Sequence, residues 1–202
     1  MNDLSMRLAS TSDASGILEI YAPFIRDTTT TFETEVPSIP LFKERISKYL
    51  QKGPWLVAED DDDIVGYAYA TEHRGRAAYQ WSIELSVYIH PDYRGQGLAT
   101  RLYQCAIEII HLQGYCTILA GITQPNEASD AFHKSIGFSL VGCYKNVGFK
   151  HGRWCDVKWY ELSLNKFDHP PKPIIDLKTL KDAGRLEAIL EYHNSEEGIQ
   201  NI

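Results

Sequence analysis

The chain has 202 residues, 44% hydrophobic and 11% aromatic, which suits one domain of ordinary size with a sizeable core. Its formal net charge of −7 argues against a nucleic-acid binder, whose surface would be basic, and no apolar run reaches the about 18–20 residues of a membrane span. The N-terminal stretch Met1-Asn2-Asp3-Leu4-Ser5-Met6-Arg7 has no apolar h-region, so no secretory signal is expected, and Cys105, Cys116, Cys143 and Cys155 show no metal-ligand spacing and suit free thiols in a reducing, cytoplasmic setting.

In chain order, residues 6–10 read as a short strand. Ser12 and Asp13 offer N-caps to a helix over 14–26, with Ile17, Ile20, Tyr21 and Phe24 as its apolar stripe. Residues 27–37 are polar and β-branched and read as a loop or short extended segment. Ser38 caps a second helix, with Phe42, Ile46, Tyr49 and Leu50 on one face, and Gly53-Pro54 ends it. Strands over 55–58 and 64–69 flank the acidic run Glu59-Asp60-Asp61-Asp62-Asp63. That run reads as a metal site or as a solvated hairpin turn. It lacks the Gly and the terminal Glu of a calcium loop, so the turn is expected and no metal.

After a loop at 73–78, a strand over 79–89 alternates: Ile83, Leu85, Val87 and Ile89 on one face, Glu84, Ser86 and Tyr88 on the other. It runs into the turn Arg94-Gly95-Gln96-Gly97 and a helix over 98–112. A glycine turn at a helix start presents unpaired backbone N–H groups, and with the helix dipole these make a site for a phosphate or pyrophosphate. Gly95 and Gly97 leave room for close approach. A Walker A loop would need a terminal Gly-Lys-Ser/Thr, and a dinucleotide fingerprint a third Gly; neither is present. The plainer alternative is a strand-to-helix turn carrying a surface Arg.

A strand over 116–122, a helix over 127–136 stopped by Gly137, and strands over 138–147 and 154–164 complete the series β-α-α-β-β-β-α-β-α-β-β. The central β-α-β predicts one parallel pair with a right-handed crossover; the rest predicts antiparallel pairs. The expected fold class is α/β: a mixed, mostly antiparallel central sheet with helices on both faces. Residues 1–166 form the expected domain. Residues 167–202 form a Pro-containing linker and a C-terminal helical extension over 177–193, whose Leu177, Leu180, Gly184, Ala188 and Leu190 lie loosely on one side. The extension reads either as a frayed tail or as a helix packed on this subunit or on a neighbour.

Several segments resemble one family. Tyr93-Arg94-Gly95-Gln96-Gly97-Leu98-Ala99 fits the Arg/Gln-x-x-Gly-x-Gly/Ala loop of the GCN5-related N-acetyltransferases (GNAT), and Asn126-Glu127-Ala128-Ser129 through Gly137-Phe138 resembles their second signature. Thr31-Phe32-Glu33-Thr34-Glu35, Trp81 to Ile89 and Val147 to Val157 are similar to the phosphinothricin and methionine sulfoximine N-acetyltransferase branch, so the resemblance covers about residues 5–164. It implies acetyl-CoA as co-substrate, a small primary amine of the phosphinothricin or methionine sulfoximine type as acceptor, direct attack in a ternary complex without an acyl-enzyme, and a homodimer. Protein N-terminal or lysine acetylation, and a non-catalytic acyl-CoA-binding module, are the alternatives.

The resemblance also implies roles. Glu84 is the leading general base, its alternative being an exposed edge-strand Glu; burial of a lone carboxylate would raise its pKa. His133 stands where many relatives place a Tyr and is a second acid or base candidate, or simply a satisfied surface His. Tyr88 shares the Glu84 face and either takes part or merely packs. Backbone at Val87, Tyr88 and Ile89 would meet the cofactor and, near Val87, the developing oxyanion. Amides from Arg94, Gly95, Gln96, Gly97, Leu98 and Ala99 would hold the pyrophosphate, and Asn126, assisted by Ser129, the pantetheine arm. For the acceptor, Arg74 and Arg76 suit a carboxylate or phosphinate. Glu33 and Glu35 suit an amine or are solvated charges, and Phe32, Tyr79 and Trp154 are aromatic walls or core. Cys116 reads as a buried core thiol rather than a nucleophile.

Overall fold

The computed structural model describes residues 4–200; the first three residues of the N-terminal stretch and the last two of the extension lie outside the described residues. Seven strands, β1 (Ser5–Leu8), β2 (Trp55–Asp60), β3 (Asp63–Glu72), β4 (Ser82–Ile89), β5 (Thr117–Thr123), β6 (Ser139–Lys150) and β7 (Arg153–Ser163), form one sheet in the order β1-β2-β3-β4-β5-β7-β6. Every pair is antiparallel except β4–β5, which is joined through a crossover helix. The helices of the main body are α1 (Ala14–Asp27), α2 (Ile39–Tyr49), α3 (Leu98–Gln113) and α4 (Glu127–Ser135). The mixed, mostly antiparallel sheet between helices is the fold class that the sequence implies.

The period-2 geometry of a strand divides the apolar residues between two cores. Along β2, Trp55 and Val57 join Ile17, Tyr21, Phe42 and Tyr67 under α1 and α2, while Leu56 and Ala58 join Leu102, Ile109 and Ile118 under α3. Along β4, Ile83, Leu85 and Ile89 enter the α3-side core and Tyr88 the α1-side core, matching the expected alternation. Local signals set the helix ends. The Ser38 hydroxyl accepts from the Leu41 amide, Asn126 Oδ1 accepts from the Ser129 amide at 3.1 Å, and Gly114 closes α3 at φ 93°. The acidic run is a hairpin turn, with Asp60 opposite Asp63 and Asp61 at φ 54°.

Two segments differ from expectation. The strand expected over 79–89 begins at Ser82, because Ala77–Tyr79 winds into a 3₁₀ turn in which the Tyr79 amide bonds the Arg76 carbonyl. Its alanines have little strand preference to oppose this. The single helix expected over 177–193 is broken at Gly184, which sits at φ 67°, into α5 (Leu177–Asp182) and α6 (Arg185–Asn194), followed by α7 (Glu196–Gln200). The break resets the helical phase, so Leu177, Leu180, Leu186 and Ile189 are buried, while Ala188 of the expected stripe is exposed.

The extension docks on its own chain. Its four buried apolar side chains complete the α3-side core, Arg101 donates to the His193 carbonyl, and the Asn194 side chain bonds both main-chain groups of Met6 at 2.7 and 2.9 Å. Leu180→Ala is therefore expected to lower stability by about 2–5 kcal/mol, the cost of a buried leucine truncation. The check is the midpoint of urea unfolding; an unchanged midpoint would show that the extension adds nothing to the core.

The feature that positions the site is a split in the sheet. β4 and β5 pair only from Ser82↔Thr117 to Glu84↔Leu119 and then part, although β4 stays paired with β3 as far as Ile89. The His90 amide bonds the Val65 carbonyl of β3. Main-chain groups in an antiparallel strand alternate in direction, so Glu84, Ser86 and Tyr88 face β3, and Leu85, Val87 and Ile89 turn theirs toward the gap. In that gap the Leu85 carbonyl accepts from the Tyr103 hydroxyl at 2.8 Å and the Ile89 carbonyl from Arg94 Nε at 3.3 Å.

Candidate active site

A cavity of about 390 Å³ opens on the α1 face of the sheet beside the split. Its floor follows the strand period: Glu84 and Ser86 of β4, Gly121 and Thr123 of β5, and Val157 and Trp159 of β7. Thr30 and Phe32 of the loop after α1 and Tyr144 and Val147 of β6 complete the wall. Glycine at position 121 gives the Trp159 indole its room: a Cβ there would stand 3.3 Å from the ring and press it back by a few tenths of an ångström. The wall is largely apolar, and Glu84 is its one carboxylate.

Glu84 is partly buried, and burial pushes its carboxyl above the usual carboxylate value, against the lowering effect of the His73 hydrogen bond and of the Arg74 charge. His73 Nδ1 lies 2.7 Å from Glu84 Oε1. The imidazole is wedged edge-on between Tyr79 and Trp159, with centroids at 5.8 and 5.7 Å. A carboxylate lifted in this way is a better base for an ammonium ion while remaining ionisable near neutrality.

The structure distributes the remaining sequence candidates among several surroundings. Tyr88 is buried against Tyr21, Phe24 and Tyr67, outside the cavity wall, and burial raises its hydroxyl pKa well above normal. His133 lies on the opposite face of the sheet from Glu84, among Tyr103, Phe132, Phe138 and Tyr160. Its Nδ1 donates to the Ser129 carbonyl at 2.8 Å, Nε2 is 3.1 Å from the Tyr103 hydroxyl, and burial lowers its pKa, favouring a neutral ring. The Tyr103 hydroxyl, whose proton goes to the Leu85 carbonyl, thus stands between His133 and the split.

The Glu33 carboxylate is held by Arg45, at 2.6 and 3.2 Å, and by the Tyr21 hydroxyl at 2.9 Å, so it is not a solvated loop charge. Glu35 is exposed in the same loop. Arg74 stacks on Tyr79 with its guanidinium 5.7 Å from the ring centroid, beside the cavity rather than in its wall, and Arg76 is exposed nearby. Trp154 is 64% exposed at the far end of β7 and packs on Phe149, so it is neither core nor cavity wall. Cys116 is buried, with its thiol 3.8 Å from the Lys166 carbonyl, away from the cavity.

Phe32 does line the cavity, and its loop is pinned from below. Lys150 Nζ donates to the Thr31 carbonyl at 2.7 Å and Arg153 to the Thr29 hydroxyl at 3.0 Å. The Phe32 ring rests on Gly148, where an added Cβ would fall 2.3 Å from a ring carbon. Gly148→Ala is expected to push Phe32 off its seat and raise KM for the acceptor severalfold, with KM for the coenzyme unchanged. Initial-rate kinetics with each substrate varied in turn will show it; equal changes in both constants would deny Phe32 a role in acceptor binding.

At the end of β4, the turn through Gly95 and Gly97 fits an anion. Both glycines adopt positive φ, 73° and 79°, and a Cβ on either would meet nothing within 4 Å, so the cradle is open. Gly97 occupies the N-cap of α3 without any side-chain cap, leaving first-turn amides for a ligand, and residues 94–97 are exposed. Arg94 lies beside them with its guanidinium over the Phe24 ring. Leu98, by contrast, is buried and anchors the helix start. Asn126 and Ser129 sit together at the start of α4, where the Asn126 side chain caps the helix.

Four side chains of the site escape the sequence reading. His73 stands where the branch resemblance would place a Trp; Tyr103, Tyr144 and Trp159 lie inside expected elements with no motif to single them out. The signal available for His73 was its position two residues beyond Thr71, which pairs with Glu84.

A family model described as an acetyltransferase (GNAT) domain matches residues 6–159. The chain belongs to this family and is an N-acetyltransferase. Among the relatives it resembles, the phosphinothricin N-acetyltransferase of Alcaligenes faecalis is 38% identical over 166 residues, covering 81% of this chain and 84% of that one. The L-methionine sulfoximine/L-methionine sulfone acetyltransferase of Pseudomonas aeruginosa is 35% identical over 163 residues, covering 80% and 95%. The crystal structure of a phosphinothricin acetyltransferase from Sinorhizobium meliloti in complex with AcCoA matches with a TM-score of 0.78 at 32% identity, covering 85% of this chain and 93% of that chain.

Proposed function

We propose that the protein transfers the acetyl group of acetyl-CoA to the primary amine of a small amino-acid-like substrate. The observation that carries the reading is the placement of a partly desolvated Glu84 in a small cavity at the point where β4 and β5 part, with an open glycine cradle at the end of the same strand. Acetyl-CoA supplies an activated acetyl thioester. The amides of the Gly95–Gly97 turn and the start of α3, with Arg94, would hold its pyrophosphate, and the Val87 N–H, turned to the gap, is aimed where charge develops on the carbonyl oxygen. Glu84 takes the proton from the acceptor ammonium so that the nitrogen can attack directly, with no covalent enzyme intermediate. Arg74 would attract a substrate carboxylate, and Phe32, Tyr144 and Trp159 would enclose the side chain.

The printed names of relatives support an acceptor of the phosphinothricin or methionine sulfoximine type. The small cavity favours such an acceptor over a peptide. The exposed apolar side chains of the β6–β7 hairpin, Leu140, Val141, Tyr144, Val147 and Phe149, support a homodimer through that face, and Tyr144 and Val147 would bring the interface to the cavity. The free thiols support a reducing, cytoplasmic setting. The test is release of free thiol from acetyl-CoA in the presence of phosphinothricin, methionine sulfoximine and a panel of amino acids. Release with one or a few small amino acids is expected, and silence across the panel with release on peptides would reassign the acceptor.

A further inference from the structure

Among the described residues, His73 is the one ionisable side chain bonded to the candidate base. The register of β3 on β4 pairs Thr71 with Glu84 and Glu72 with Ile83, so the next residue, His73, is a diagonal neighbour of Glu84 on the same face. Nδ1 and Oε1 are 2.7 Å apart, and the His73 side chain is only 14% exposed. The ring is held by the edge contacts with Tyr79 and Trp159. On its other side, Arg74 Nε approaches His73 Nε2 at 3.4 Å. A guanidinium only donates, so Nε2 accepts and the ring proton sits on Nδ1, from which it donates to Glu84. No hydrogen bond from the described residues is made to the second carboxylate oxygen, Oε2, which is left for the acceptor ammonium.

We propose that His73 is a positioning residue: it fixes the Glu84 carboxylate toward the cavity through its Nδ1–H and holds Arg74 on its far side, setting the spacing between the group that takes up the amine and the group that takes up the carboxylate of an α-amino acid. The inference rests on the proposed role of Glu84 as base and extends it. Among the described residues, the side chains acting on Glu84 are His73, through its hydrogen bond, and Arg74, through its charge, both from the loop that follows β3. β5 and β7 present Gly121 and Trp159 to the same cavity, β6 presents Tyr144, and Ser86 is the neighbour on β4. Loss of the histidine would leave burial to dominate, and Glu84 would hold its proton to higher pH.

Two substitutions separate positioning from packing. His73→Phe keeps an aromatic ring between Tyr79 and Trp159 but removes the donor, while His73→Asn restores a donor near the Nδ1 position. In His73→Phe, the acidic limb of kcat/KM for the acceptor is expected to move to higher pH, with kcat/KM near neutrality falling by about tenfold or more. KM for acetyl-CoA should stay unchanged, and His73→Asn should recover most of the limb. A carboxyl ¹³C NMR titration, with Glu84 assigned by the resonance lost in Glu84→Gln, reads the same shift without turnover. An unmoved Glu84 titration in His73→Phe would overturn the proposal, as would equal losses in the two variants with the pH limb in place. If the wild-type protein released no thiol with any amine, the proposed function would fail, while the carboxyl titration would still decide on His73.

Discussion

Glu84→Gln is expected to cut turnover by about 10²–10⁴-fold, the usual worth of a positioned general base, while leaving the affinity for acetyl-CoA unaltered. Glutamine keeps the shape of the side chain and can still meet His73, so the cavity should survive; what it loses is the negative charge and basicity that let the carboxylate take the ammonium proton. The pH dependence of the wild-type enzyme gives an independent reading. Burial holds the Glu84 carboxyl above its ordinary value. The base acts only when ionised, so kcat/KM for the acceptor should fall as pH drops through that raised value, earlier on the way down than an exposed glutamate would allow. In Glu84→Gln this limb should vanish. Steady-state kinetics across pH, with calorimetry for the coenzyme, measure both effects. Full turnover with glutamine in place would hand the proton to another group, and a matching loss of coenzyme affinity would mean that the variant had disturbed the sheet.

The second large effect is expected at the glycine cradle. Gly97→Val should weaken acetyl-CoA binding by about 10²–10⁴-fold, the worth of two amide–phosphate hydrogen bonds at about 1.5–3 kcal/mol each. Space is not the obstacle, since a Cβ at this position meets nothing within 4 Å. The backbone is: φ of 79° is a left-handed conformation that a β-branched residue resists, so the turn must rewind and its N–H groups swing away from their common focus. The isopropyl group would also stand where the anion approaches. The turn is exposed and α3 is anchored separately by the buried Leu98, so thermal stability should change little. Unaltered calorimetric affinity in Gly97→Val would mean that the coenzyme is held elsewhere.

The parts of the molecule that were legible in the sequence are those set by neighbours along the chain. The alternation from Ile83 to Ile89, the Ser38 cap, the glycine turn and the acidic hairpin all follow from local geometry, and each took its expected form. What depended on the meeting of distant segments was not legible. Arg45 takes the Glu33 carboxylate because α2 folds back against the loop after α1. Tyr88 shares a strand face with Glu84, yet α1 covers one and leaves the other beside a cavity. His73 gains its partner only through the register of two strands, and a loop reading of residues 73–78 hid it. The break at Gly184 was visible as a residue, but its effect on which leucines are buried required the helices to dock.

The outermost strand on one side of the sheet ends against a side chain rather than against water. With Oδ1 and Nδ2 of Asn194 on the N–H and C=O of Met6, α6 offers β1 the same donor–acceptor pair that one more strand would offer. A carboxamide thus blunts this border against fibril-like growth by strand addition, a protection that natural sheets need wherever an edge would otherwise be bare. Chains clipped before residue 194 would regain a bare margin and should be the ones that self-associate on storage, whereas the opposite margin, formed by β6, has no such plug among the described residues.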